Sequence, residues 1–108
     1  MPDIDPDHPF WRAAQPLLDD GSAQRGTMMG FTCLRTAGRF FATADHRTGD
    51  LVVKLPRPRV AALIAEGLGQ PFAPAGRTFR EWVAVPQDHR TAWPALLGEA
   101  HAFVADAD

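Results

Sequence analysis

Eight cations crowd the middle of this 108-residue chain: Arg35, Arg39, Arg47, Lys54, Arg57, Arg59, Arg77 and Arg80. Grouped guanidinium and ammonium groups neutralise phosphates, and a planar side chain beside them can stack on a base. Trp82 shares a strand face with Arg80 if residues 78–85 alternate, so this set carries the chemistry of nucleic-acid contact. The charge map isolates it. Residues 1–20 hold one base and five acids, residues 21–80 nine bases and three acids, and residues 81–108 one base and five acids. The net charge is only −2 and the pI 6.0, where a dedicated nucleic-acid-binding domain more often exceeds about 9. Two readings stay open at this stage. The basic middle presents a positive face to an anionic partner, or its charges decorate solvent faces.

Other chemistry is sparse. Cys33, the single cysteine, falls in mid-strand and reads as a buried, inert thiol. His8, His46, His89 and His101 lack metal-ligand spacing, which predicts no metal site. Asp50 and Glu81 are the acids on predicted strands. Glu81 falls among Phe79, Val83 and Val85, which predicts partial burial and an ion pair with Arg39 or Arg80. No nucleophile elbow, phosphate-binding glycine loop or dinucleotide fingerprint occurs. The expectation is a domain without catalytic residues or cofactor. Phe10, Trp11 and Trp93, on the terminal helices, fit two roles: an interface to a second copy or partner protein, or packing against the sheet.

The elements that must position these residues follow from periodicity. At 45% hydrophobic and 22% charged the composition is that of an ordinary globular domain, and no apolar run approaches the roughly 20 residues a membrane span requires. One cysteine excludes an internal disulfide and predicts a reducing, cytoplasmic setting. Residues 1–8 read as a flexible leader and 9–108 as one domain. A helix runs over 9–20, with Pro16 expected to kink or divide it. Strands follow over 27–35, 39–44 and 50–55. Ala37-Gly38 forms a tight turn between the first two. A helix over 57–66 is capped by Gly67, a short edge strand lies near 71–74, and a strand spans 78–85. A last helix covers 90–105. The order α-βββ-α-ββ-α describes an α+β two-layer sandwich with an antiparallel sheet.

Met28-Met29-Gly30-Phe31, Gly38-Arg39-Phe40-Phe41-Ala42 and Asp50-Leu51-Val52-Val53-Lys54-Leu55, followed by Gln70-Pro71-Phe72 and Glu81-Trp82-Val83-Ala84-Val85-Pro86, resemble the N-terminal domain of TfoX/Sxy competence regulators. The related MmcQ/YjbR-like proteins share this plan. The resemblance spans about residues 26–105, with Met29 where that family commonly has Phe. It implies a secretion-chaperone-like sandwich and a bacterial, regulatory domain that contacts nucleic acid or a transcription-associated protein. A dimerising protein-interaction module is the alternative.

Overall fold

The computed structural model describes residues 7–28, 31–73 and 76–106. Helix α1 (Pro9–Asp19) leads into strands β1 (Gln24–Met28), β2 (Phe31–Thr36), β3 (Arg39–Ala44) and β4 (Leu51–Lys54). Helix α2 (Arg57–Ala65), strands β5 (Gln70–Phe72) and β6 (Phe79–Val85), a 3-10 segment (Gln87–Ala92) and helix α3 (Trp93–Ala105) complete the chain. Every strand pairing is antiparallel, in the sheet order β1-β2-β3-β4-β6-β5. The expected α+β sandwich is therefore present, with one more strand than the predicted order contains.

The extra strand comes from the stretch expected as a single strand over 27–35. Gln24–Met28 pairs with Phe31–Thr36 as a hairpin, while the connection at 29–30 lies outside the described residues. Gln24, Arg25 and Thr27 are exposed and carry no apolar alternation, so a solvent-facing edge strand leaves no hydrophobic signal. Strand β5 matches the expected edge strand, and Pro74, assigned to it from sequence, lies outside the described residues.

Strand alternation then divides the sheet into two faces. Leu34, Phe41, Ala42, Ala44, Leu51, Val53, Val83 and Val85 join one core cluster with residues from all three helices. Cys33 and Val52 are as deeply buried but lie outside that cluster, on the opposite alternation. The helices thus cover one face, and no described helix covers the other.

Helix α1 starts at His8, whose Nδ1 accepts the Phe10 N–H at 3.0 Å, so the last residue of the expected leader is the helix cap. The helix is continuous through Pro16, which is exposed, and is not divided there. In α2 only Val60 and Leu63 are buried; Ile64, expected in the apolar stripe, is 36% exposed because this nine-residue helix meets the sheet along a narrow line. Helix α3 buries Trp93, Leu96, Leu97, Ala100 and Val104 as expected. His101 is half-buried. Its Nε2 donates to the Ser22 carbonyl at 3.0 Å and lies 3.3 Å from the Thr36 hydroxyl, joining α3 to the start of β1 and the end of β2. Beside it, hydrogen bonds from Ser22 hold the Asp20 carboxyl below its ordinary range.

Two close fits give stability predictions. The β2–β3 turn has positive φ at both central residues, Ala37 (52°) and Gly38 (77°), the pattern of a type I′ turn. Alanine pays a left-handed penalty there that asparagine largely escapes. Ala37→Asn is expected to raise unfolding free energy by about 0.5–1 kcal/mol, read by urea denaturation. Gly69, between α2 and β5, leaves no room for a side chain: a Cβ would sit 2.6 Å from Val83 Cγ2 and 3.3 Å from Leu63 Cβ. Both neighbours are buried, so Gly69→Ala is expected to cost about 1–3 kcal/mol by overpacking in the same assay.

Candidate nucleic-acid interface

The register decides which cations meet. Strands β2 and β3 join at the Thr36↔Arg39 pair, and Lys54↔Trp82 places the end of β4 beside β6 at this same end of the sheet. Arg35, Arg39, Lys54, Arg57, Arg77 and Arg80 therefore gather here. Arg47 does not. It lies in the β3–β4 loop, about 17 Å away along β3 at ~3.3 Å per residue. Its backbone N–H donates to Asp45 at 2.8 Å. Arg59 also leaves the set. Its guanidinium grips Glu99 of α3 at 2.9 and 3.2 Å, and that hydrogen bond holds the arginine still more firmly charged. The pair borders a groove of about 600 Å³ on the helix layer, whose lining includes Phe103 and a second acid, Asp106. A polyanion is poorly served by that groove.

Within the basic end, three cations reach the open face. Arg35 and Lys54 follow the alternation of Cys33 and Val52, and Arg80 that of Trp82 and Ala84. Arg39, opposite Thr36, takes the alternation of the helix-bearing face. Arg77 sits just before β6, its guanidinium carbon 5.5 Å from the centre of the Phe79 ring. Phe79 itself is 38% exposed, so the sheet end carries an uncovered ring beside its cations.

A bulge brings an aromatic to this face. Leu34 pairs with Ala42 and Arg35 with Phe40, leaving Phe41 as an extra residue in β3. Phe41 turns into the core against His101, their ring centroids 5.7 Å apart. Phe40 is thereby turned outward, half-buried, with the Arg35 guanidinium carbon 5.8 Å from its ring centre. The Arg35 side chain runs over Gly26 of β1, diagonal to it in the register, where a Cβ would come within 2.9 Å of that side chain. Trp82 is likewise half-buried, directly across from Lys54. Among the described residues no Asp or Glu shares this face at this end: Glu81 takes the opposite alternation, and Asp50 lies at the far end of β4.

No family model, curated protein or solved structure matches this chain. Of the motif residues quoted from the sequence, Gly38 supplies a positive-φ turn position, Phe41 fills the core, and Phe40, Lys54 and Trp82 lie on the open face.

The residues assigned from sequence to a protein interface take the packing role instead. Phe10 and Trp93 are 0% exposed and Trp11 9%, all inside the core cluster. Phe10 meets Trp11 edge-on at 4.9 Å, and Arg25 covers the Trp11 ring at 4.2 Å. Large rings supply much of the apolar area that holds the terminal helices on the sheet. Among the described residues no His, Cys, Asp and Glu group could hold a metal, and no helix is long and apolar enough to cross a membrane.

Proposed function

We propose that this chain is a non-catalytic regulatory domain of the bacterial cytoplasm that binds nucleic acid through the open face of its sheet, at the β2–β3 hairpin end. The observation that carries the reading is the convergence of Arg35, Lys54 and Arg80 on that face, with Arg57 and Arg77 at its rim and no described acid among them. An overall charge of −2 does not oppose this, because the acids lie elsewhere and fields of several kT are local over distances near a Debye length, about 10 Å. The likeness to TfoX/Sxy domains adds a transcriptional context. The competing protein-interface reading loses its aromatic anchors to the core.

Fluorescence anisotropy with labelled oligonucleotides tests this. Three phosphate contacts to a single strand give a slope of log K against log salt of about −2, so affinity falls roughly 20-fold between about 50 and 200 mM salt. Absence of binding at the lower salt would refute the proposal.

A further inference from the structure

The cations and aromatics of the open face form an ordered row. Across four adjacent strands at the hairpin end of the sheet, they run Arg35 on β2, Phe40 on β3, Lys54 on β4 and Trp82 on β6. Arg35 faces Phe40 across one strand pair and Lys54 faces Trp82 across another, while the β3–β4 register, continued beyond Ala42↔Val53, brings Lys54 to within one residue of Phe40. Cation and ring alternate, and the two rings stand two strand spacings apart, about 10 Å. We infer, building on the nucleic-acid reading above, that this row is a stacking platform for single-stranded nucleic acid, lying across the strands with bases on Phe40 and Trp82 and phosphates at Arg35, Lys54 and Arg80.

Two features favour a single strand over a duplex. The rings are half-buried in a sheet surface and keep part of their area exposed, which an unstacked base can cover and a paired, stacked base cannot. Lys54 lies on the strand between the two rings, with Arg35 beyond Phe40 and Arg80 two residues along β6 from Trp82, so a flexible backbone passing from one stacked base to the next meets a cation on its way. A duplex would need its phosphates met along two ridges flanking a projecting element, and no described helix stands on this face. The absence of a described acid here matches a polyanion, and the area is distinct from the acid-lined groove at Arg59 and Glu99.

The test compares a labelled single strand of about 12 nucleotides with its duplex, for wild type, Trp82→Leu, Trp82→Phe and Phe40→Leu. Leucine keeps apolar packing and removes the π face, and phenylalanine restores one. The platform predicts preference for the single strand. It also predicts a loss of about tenfold or more in Trp82→Leu with an unchanged salt slope, and retention of most affinity in Trp82→Phe. Tryptophan fluorescence should be quenched on binding and not in Trp82→Phe, since Trp11 and Trp93 are in the core. Circular dichroism confirms that each variant is folded. Salt-dependent binding that favours the duplex, or is indifferent to Trp82→Leu, overturns the platform and leaves nucleic-acid binding standing. No binding to either form overturns both. If sedimentation then shows a dimer that Trp82→Leu dissociates, a second copy covers the face.

Discussion

Trp93→Ala is expected to remove a large share of the stability of this fold. Trp93 is fully buried at the start of α3, where it joins the helix stripe to the core and stacks on His8 with centroids 6.0 Å apart. Truncating a buried ring of this size costs about 3–5 kcal/mol, partly as lost transfer energy and partly as a cavity that a sheet-backed site cannot collapse. A domain of ordinary stability has only about 5–15 kcal/mol in hand. The variant should therefore unfold at a much lower urea concentration than wild type and, at the lower end of that range, be partly unfolded in water. Trp93→Phe should be far milder. It keeps most of the volume and removes an indole N–H that has no hydrogen-bond partner among the described residues, a group costly to bury. Near-equal losses in the two variants would show that Trp93 is not a packing residue of this kind.

Replacing Arg35, Lys54 and Arg80 together by Gln is the second large effect. Each phosphate contact to a single strand contributes about 0.7 to the salt slope, so the triple variant should lose a slope of about 2, and at low salt most of its affinity. Arg47→Gln and Arg59→Gln are the controls. Arg47 lies at the other end of the sheet, and Arg59 is committed to Glu99, an exposed pair worth about 0–1 kcal/mol whose loss leaves the fold intact. Binding that survives the triple variant but falls with Arg59→Gln would move the interface to the helix layer. Neutral Gln is preferable to Glu here, because it removes attraction without introducing a repulsion that would weaken binding at any nearby surface.

Much of this architecture is legible in the sequence. Strands β4 and β6 alternate plainly, Pro56 and Pro94 mark helix starts, and Gly67 ends α2 with φ of 77°. What escapes is what periodicity does not encode. Strand β1 faces solvent and shows no apolar pattern. The bulge at Phe41 is the more consequential loss. Strict alternation sends Phe40 inward with Ala42 and Phe41 outward, whereas the inserted residue reverses both and places Phe40 beside Arg35. The cations were visible by type, yet their grouping depended on register. Pairing Lys54 with Trp82 collects six of the eight, and the same pairing separates Arg47 from them. Arg59 differs again, because its partner Glu99 is 40 residues away in the chain and nothing local announces the contact. The aromatics Phe10, Trp11 and Trp93 illustrate a general ambiguity: a large ring on a terminal helix has the same sequence signature whether it packs inward or waits for a partner.

The most direct test of the central claim is an amide chemical-shift titration of the labelled protein with a single strand of about 12 nucleotides, at about 50 mM salt. The account predicts a contiguous set of shifts at Arg35, Phe40, Lys54, Arg80 and Trp82, including the Trp82 indole N–H, with Glu99, Phe103 and Asp106 unmoved. Shifts confined to the helix layer, or none at a saturating excess of oligonucleotide, would contradict it.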